Sequence, residues 1–290
     1  MIKLENKHII IEVNEAGAEL NKLYSKKYNL DFLWCGDSKY WGRKSPVLFP
    51  IVGRLKDNET YIENEIFKMG QHGFARDSIF KLIDTTNSSV TFSLASKESS
   101  MENFPFSYRL NITYELTDNN LAVTWNVINT DDKPIYFSIG AHPAFNVPFF
   151  KEDKLEDYYL TYKTKEKINH YIFEPPYIKE SKVLENLPEA TLKPTLFKND
   201  ALVYSGVDNV TINSKKSTAA ISLSFKDFPF VGIWSPYYKK TDSIAPFLCI
   251  EPWYGIADFV NGNKKYKDKL GINKLEIGGD FSATYTISLL

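Results

Sequence analysis

The sequence predicts an all-β protein, a large antiparallel β-sandwich. Tyr, Phe and Trp make up 15% of the residues, and they are interleaved with Ile, Val and Thr in short runs that end at turn-forming residues. Helical periodicity is weak, and only short pieces such as residues 186–190 are compatible with a helix, which disfavours strands alternating with long helices. All-β chains of this length commonly form one domain, so we expect residues 1–290 to form a single domain.

The clearest predicted element is an antiparallel hairpin over residues 108–129. Apolar and polar side chains alternate from Tyr108 to Leu116, and the alternation resumes at Leu121 after the turn sequence Thr-Asp-Asn-Asn. Each arm should therefore have one buried face and one solvated face. Further strands are predicted over residues 9–13, 90–95, 135–139, 158–162, 219–225, 230–235, 247–251 and 283–289.

Composition disfavours several classes of partner. Lys and Arg (35) nearly balance Asp and Glu (36), so no overall field attracts nucleic acid or an anionic membrane. The sequence has no run of 18 apolar residues and no apolar stretch behind its N-terminal charges, and we expect a cytoplasmic protein without a membrane partner. The two cysteines, Cys35 and Cys249, are too far apart in sequence for a close-spaced zinc motif, and we expect both to be reduced core residues.

Four segments combine polar side chains of catalytic types with turn-forming or aromatic neighbours. These are Ser-Pro-Val-Leu-Phe-Pro-Ile-Val-Gly-Arg (residues 45–54), Gln-His-Gly-Phe-Ala-Arg-Asp (71–77), Ser-Ile-Gly-Ala-His-Pro-Ala-Phe (138–145) and Phe-Leu-Cys-Ile-Glu-Pro-Trp-Tyr-Gly (247–255). Their wide separation suits a site built across a sheet. Glu251 in the last segment follows an apolar strand, and burying a carboxylate without a partner is expensive. Glu251 should therefore reach solvent, pair with a basic group or line a functional cleft.

The other three segments each keep a structural alternative. The arginine at position 54 is either a ligand-binding residue or a surface residue after an edge strand. His72 either faces a polar ligand or caps a backbone group, with Arg76 paired to Asp77. His142, placed before a proline, should lie at a strand end and not within a ladder, where it is either a catalytic or a structural histidine.

Together the four segments resemble the aldose 1-epimerase (galactose mutarotase-like) family, especially its shorter bacterial branch. The likeness rests on Phe-Pro-x-x-Gly-Arg, His-Gly-Phe-Ala-Arg-Asp, Gly-x-His-Pro-x-Phe and Glu-Pro-Trp in this order, and it extends over most of the chain. It implies a galactose mutarotase-like supersandwich whose concave face holds the sugar. It also implies an enzyme that interconverts the α and β anomers of a hexose without a cofactor or a metal ion.

The resemblance assigns roles to individual residues. Glu251 is the expected general base that removes the proton from the anomeric O1 hydroxyl, and His142 is the expected general acid that protonates the ring oxygen. In the active form, Glu251 would be ionised and His142 protonated. His72 and Arg54 match positions that hydrogen-bond the sugar and stabilise negative charge on oxygen. Asp200 lies about where the family has an acidic sugar-binding residue.

Substrate and turnover stay open at the level of the sequence. Arg76, with Arg43 as a second member, resembles the basic residues with which hexose-6-phosphate 1-epimerases read a phosphate, whereas an Arg76–Asp77 pair fits a free hexose. Trp253, adjacent to the expected base, either lines the cleft and stacks on the sugar or packs in the core. A carbohydrate-binding protein without turnover is the main alternative from another class. The sequence does not indicate an oligomeric state.

Overall fold

The computed structural model describes the backbone of residues 1–290 and all side chains except those of residues 98 and 99. The first strands are β1 (Ile2–Glu5), β2 (Ile9–Val13), β3 (Leu20–Ser25), β4 (Leu30–Asp31), β5 (Val47–Leu48), β6 (Glu59–Ile62), β7 (Glu65–Lys68), β8 (Lys81–Thr85), β9 (Ser89–Ala95), β10 (Tyr108–Thr117), β11 (Asn120–Asn129) and β12 (Ile135–Phe137). The remaining strands are β13 (Ile139–Ala141), β14 (Ala144–Asn146), β15 (Tyr158–Glu174), β16 (Tyr177–Leu184), β17 (Ala190–Thr191), β18 (Leu202–Ser214), β19 (Ala220–Ser224), β20 (Phe230–Trp234), β21 (Tyr237–Tyr238), β22 (Ser243–Ile244), β23 (Phe247–Tyr254), β24 (Asn273–Leu275) and β25 (Asp280–Leu289).

The helical elements are short. One α-helical turn, α1, spans Glu98–Met101, and 3₁₀ turns span Lys56–Asn58, Ala75–Asp77, Leu155–Asp157, Pro194–Phe197 and Tyr266–Asp268. Within the described part of the chain, no helix has both the length and the apolar character needed to cross a membrane.

Most strands belong to one large antiparallel sheet. Its hydrogen-bonded order is β5-β13-β23-β20-β18-β19-β25-β11-β10-β9-β8, with β14 added to β23 and with β15 joining β16, β17 and β18. A second antiparallel sheet contains β1, β2, β3 and β4 in that order. The buried faces of the two sheets share one apolar core, to which β2 contributes Ile9, Ile11 and Val13. A buried hydrogen bond also joins the layers, because the Tyr114 hydroxyl on β10 donates to the Ala18 carbonyl at 2.7 Å.

The all-β fold class and the predicted hairpin are confirmed. β10 and β11 pair in continuous antiparallel register from Tyr108 opposite Asn129 to Thr117 opposite Asn120. Alternate residues of both strands are buried, as the sequence pattern predicts. The predicted strands at 9–13, 90–95, 219–225, 230–235 and 283–289 are also present, with ends that differ by up to three residues.

Several local predictions differ from the structure. Residues 186–190 contain no helix; five residues provide few helical hydrogen bonds to offset the cost of nucleation, and Pro188 has no backbone N–H to contribute one. The predicted strand 135–139 is broken at Ser138, where β12 pairs with β24 and β13 joins the large sheet. The predicted strand 158–162 is only the start of the seventeen-residue β15.

The cysteines show one further difference. Both are free thiols, and Cys249 is buried on β23 as predicted. The prediction that Cys35 is a core residue is wrong, because Cys35 is exposed in the irregular segment that follows β4.

Candidate functional site

The seven residues that the sequence singles out lie around one cavity of about 300 Å³. They are Arg54, His72, Arg76, His142, Asp200, Glu251 and Trp253. The volume is at the low end of the roughly 300–1,000 Å³ that is typical of ligand pockets, so the cavity suits one small molecule. Segments 45–54, 71–77, 138–145 and 247–255 therefore meet in space although they are far apart in sequence.

The register of the sheet places His142 opposite Glu251. β13 ends at Ala141 and β14 begins at Ala144, so His142 and Pro143 interrupt the stretch of chain that otherwise pairs with β23. The pairs on either side of the interruption are Gly140–Trp253 and Ala144–Cys249, which share one register. Pro143 has no N–H to donate to the ladder, which explains why the strand breaks here, as predicted for His142.

Glu251 lies in the middle of β23, not at its end. The predicted strand 247–251 extends through Pro252 to Tyr254, with β20 on its other side. Glu251 is 2% exposed and His142 is 7% exposed. Nε2 of His142 lies 3.3 Å from Oε2 of Glu251. Of the outcomes considered for this carboxyl group, the structure shows two at once: it contacts a basic side chain and it lines a cleft.

Burial shifts both members of this pair away from their charged forms. Burial raises the pKa of Glu251 well above its ordinary value, and the negative charge of nearby Asp200 adds to the effect. Burial lowers the pKa of His142 to about 3, and the positive charges of Arg76 and Arg43 contribute. The free site therefore favours an uncharged carboxyl beside an uncharged imidazole. Apart from the N–H that a neutral imidazole always keeps, this pair contains one titratable proton. The expected pair of ionised Glu251 and protonated His142 contains the same number.

Aromatic rings hold the His142 side chain in place. The Trp41 ring stacks on the imidazole, with centroids 4.7 Å apart and planes inclined by 27°. Trp234 and His72 contact it edge-on, with centroids at 5.8 Å and 5.5 Å. The imidazole is thus confined on three sides, and Nε2 is left directed at Glu251.

His72 combines both of the roles considered for it. Its Nδ1 accepts a hydrogen bond of 3.1 Å from the backbone N–H of Gly53, and its Nε2 lies 3.2 Å from the side-chain amide nitrogen of Gln71. It also lines the cavity. Burial lowers the pKa of His72 well below the ordinary value, and the neighbouring His142 lowers it further by a smaller amount. Its backbone has φ of 66°, a conformation uncommon for a residue other than glycine, and such strain often occurs at functional sites.

The two arginines that line the cavity, Arg54 and Arg76, bond mainly to uncharged oxygen atoms and not to carboxylates. Arg54 donates to the neutral oxygens of Asn58 and Gln71 at 3.1 Å and 3.2 Å. Arg76 donates to the Gln71 carbonyl at 2.6 Å, and its Nε lies 3.7 Å from Asp77. Arg43 also pairs with Asp77, at 2.8 Å, and is not among the residues that line the cavity.

Asp200 lies on the cavity wall, as the resemblance implies. Its φ of 80° is another left-handed value, and its Oδ1 accepts a hydrogen bond of 2.9 Å from the N–H of Ala201. Burial raises its pKa. The cavity thus contains two carboxyl groups, Asp200 and Glu251, close enough to influence each other.

The position of Trp253 depends on two glycines. A Cβ at Gly232 would lie 2.4 Å from the indole ring, and a Cβ at Gly140 would lie 2.5 Å from it. These distances are too short for any side chain, so glycine on both neighbouring strands makes room for the ring. Trp253 lines the cavity and also belongs to a buried apolar cluster. It therefore occupies both of the positions considered from the sequence, the cleft and the core.

Trp41, Trp234 and Gln71 also line the cavity. The sequence suggests Trp41 only as one of several aromatic residues that could stack on a sugar ring, and it does not single out Trp234 or Gln71. Gln71 belongs to a recognised segment, and its position directly before His72 is the signal that could have identified it. Trp234 lies at the end of a correctly predicted strand. Trp41 lies in an irregular segment, where no periodicity indicates which way a side chain points.

Comparison with known proteins shows similarity over the whole chain. The model of the aldose 1-epimerase family matches residues 1–273. The chromosomal LacX protein of Lactococcus lactis subsp. lactis is 29% identical over 306 residues, which cover 100% of this chain and 99% of LacX.

Solved structures show the same similarity. A galactose mutarotase related enzyme from Lactobacillus acidophilus is 32% identical with a TM-score of 0.95, covering 100% of this chain and 97% of that chain. A galactose mutarotase-like protein from Lactobacillus casei is also 32% identical, with a TM-score of 0.92 and 100% coverage of both chains.

We expect Gly232→Ala to displace the Trp253 ring and to lower the free energy of unfolding by about 1–3 kcal/mol, because the added methyl group overpacks a buried contact. Urea unfolding measured by tryptophan fluorescence tests this. Gly70→Ala is the matched control, since a Cβ at Gly70 has no heavy atom within 4 Å. Equal stability of the two variants would contradict the packing role of Gly232.

Proposed function

The chain belongs to the aldose 1-epimerase family, and we propose on that basis that it is a mutarotase that interconverts the α and β anomers of a hexose. The observation that carries the proposal is the buried contact of 3.3 Å between His142 and Glu251 on the wall of a small cavity. Opening a hemiacetal requires removal of a proton from O1 and addition of a proton to the ring oxygen, and both oxygens are bonded to C1. Two adjacent proton-transfer groups can therefore serve both atoms.

In the proposed reaction, the proton of the pair first passes from Glu251 to His142; Glu251 then takes the O1 proton while His142 gives its proton to the ring oxygen, and the bond between C1 and the ring oxygen breaks. The open-chain aldehyde rotates about the C1–C2 bond and presents its other face. The same two groups then work in reverse and close the opposite anomer. The pair gives one proton to the ring oxygen and receives one from O1, so the reaction consumes and releases no net proton. One titratable proton in the pair is therefore sufficient.

The remaining cavity residues have proposed roles in binding. The imidazole of His72 and the guanidinium of Arg54 form hydrogen bonds with sugar oxygens, and the Asp200 carboxyl group accepts from sugar hydroxyls. The Trp253 ring packs against C–H groups of the pyranose. This chemistry uses no cofactor. Cavity residues from position 41 to position 257 contribute to one site, which supports the proposal that residues 1–290 act as a single domain.

A hexose 6-phosphate is the second candidate substrate. Arg54 and Arg76 line the cavity and both donate to Gln71, and Asp77 is the carboxylate with which Arg76 and Arg43 pair. Nε of Arg54 and Nε of Arg76 are buried without a hydrogen-bond partner. An anionic substituent on the sugar would satisfy these donors, and charge-assisted hydrogen bonds to phosphate are strong.

Glu251→Gln is expected to lower kcat for mutarotation by about 10²–10⁴-fold, because it removes proton transfer while preserving the shape of the side chain. Polarimetry of freshly dissolved α-glucose and α-galactose measures turnover, and quenching of tryptophan fluorescence measures sugar binding. Binding should persist in the variant. His142→Asn should lose turnover in the same way.

The matched control for this substitution is Glu115→Gln, which changes an exposed glutamate on β10. Full activity of Glu251→Gln would refute the proposed role of Glu251. Binding of sugar by the native protein without any acceleration of mutarotation would favour a carbohydrate-binding protein instead.

The pH dependence of kcat/KM should be a broad bell that reports the free site. Below about pH 3 a second proton charges His142, and no base is left. Above the raised pKa of Glu251 the pair loses its single proton, and no acid is left. The acid limb should therefore lie near pH 3, below the ordinary glutamate value of 4.5, and the basic limb should report the raised pKa of Glu251. Circular dichroism at each pH separates titration from unfolding, and limbs at the two ordinary values would contradict the effect of burial.

Arg76→Gln tests the identity of the substrate. If the substrate carries a phosphate, kcat/KM for the hexose 6-phosphate should fall by about 10–100-fold, whereas kcat/KM for the free hexose should change little. Arg109→Gln, which removes an exposed arginine on β10, is the control for loss of a positive charge. Equal effects on phosphorylated and free sugar would exclude phosphate recognition by Arg76.

A further inference from the structure

Cys249 lies next to the proposed acid–base pair and has no role in the proposed reaction. It is two residues before Glu251 on β23, and side chains two apart on a strand point to the same face. Its backbone pairs with Ala144, just beyond His142. The thiol is therefore held beside both the carboxyl group and the imidazole by the register of the sheet.

The three side chains offer a compact set of metal ligands. Among the described residues, one ring nitrogen of His142, Sγ of Cys249 and a carboxylate oxygen of Glu251 lie within 4.8 Å of one another. All three residues are buried. Oε2 of Glu251 is also buried without a hydrogen-bond partner in the protein. A bound ion is one species that would satisfy such a buried oxygen.

The geometry fits zinc better than it fits a larger cation. Two nitrogen or oxygen ligands at about 2.0–2.1 Å from tetrahedral Zn²⁺ are separated by about 3.3 Å. The observed distance from His142 Nε2 to Glu251 Oε2 is 3.3 Å. Thiolate and imidazole are ligands that Zn²⁺ prefers, whereas Mg²⁺ and Ca²⁺ take oxygen ligands. The thiol has to approach by roughly 1 Å to reach the usual Zn–S distance of about 2.3 Å.

We propose that His142, Cys249 and Glu251 form a binding site for Zn²⁺, with the fourth coordination position open to the cavity. The bound ion occupies the ring nitrogen and the carboxylate oxygen that proton transfer to and from the sugar requires. Zinc therefore inhibits turnover, and this consequence rests on the proposed mutarotase function. Because Nδ1 of His142 has no hydrogen-bond partner among the described residues, no outer hydrogen bond strengthens the ring as a metal ligand, and we expect binding that a chelator reverses.

Metal binding is tested on the full-length protein after treatment with EDTA and its removal, under reducing conditions. Titration with Co²⁺ should produce a thiolate-to-metal charge-transfer band at one equivalent, and calorimetry with Zn²⁺ should show one site. Cys249→Ala should abolish the band and weaken Zn²⁺ binding at least about tenfold. Cys249→Ser is the nearly isosteric second variant if the alanine variant does not fold. Cys35→Ser, which removes the exposed cysteine, should leave the band and the affinity unchanged.

The activity measurement is kept separate from the binding measurement. Zn²⁺ should suppress mutarotation by the native protein in proportion to occupancy, and EDTA should restore it. A charge-transfer band that survives in Cys249→Ala, or that disappears in Cys35→Ser, would overturn the proposed site, as would the absence of saturable Zn²⁺ binding. A Cys249-dependent band in a protein that shows no mutarotation without metal would support the site and reject the mutarotase function.

Discussion

The site depends on one constraint, the register that sets His142 opposite Glu251 across the interrupted edge of β23. A shift of one residue would turn Glu251 to the other face of the sheet and bring Ile250 or Pro252 to the cavity. The apolar core specifies this register because the same shift would bury the Glu251 carboxyl group on the face where Leu248 and Ile250 now pack in the core. Packing far from the cavity thus decides which two functional groups meet within it.

Burial then determines the chemical character of the pair. An ion pair in this environment would have to offset the desolvation of two charges, whereas the uncharged pair avoids most of that cost. The aromatic rings of Trp41 and Trp234 exclude water from one side of His142 and provide no charge to stabilise its protonated form. A sugar hydroxyl entering the site offers hydrogen bonds in place of water, so the proton can move between partners without a change in net charge.

The sequence predicts the fold and the functional site to different extents. Alternation identified the hairpin over 108–129 because each strand there has one solvated face. It could not place the end of β23, because every residue from Phe247 to Trp253 is buried and a continuous apolar run has no period. The site residues were identified by short motifs. Motifs carry no distances, so the 3.3 Å contact, the proton content of the pair and the contribution of Trp41 could be obtained only from the structure.

The same physical features favour proton transfer and cation binding, and this explains why Cys249 matters. A desolvated carboxyl group and imidazole present two lone pairs at a distance that either a shared proton or a tetrahedral metal ion can bridge. A non-coordinating residue at position 249 would leave only two ligands, too few for a stable zinc site with an open position. The thiol supplies the third ligand from beneath the cavity wall, where it cannot hydrogen-bond a substrate as effectively as a hydroxyl group can. A cysteine here therefore changes the metal affinity of the site much more than its complementarity to a sugar.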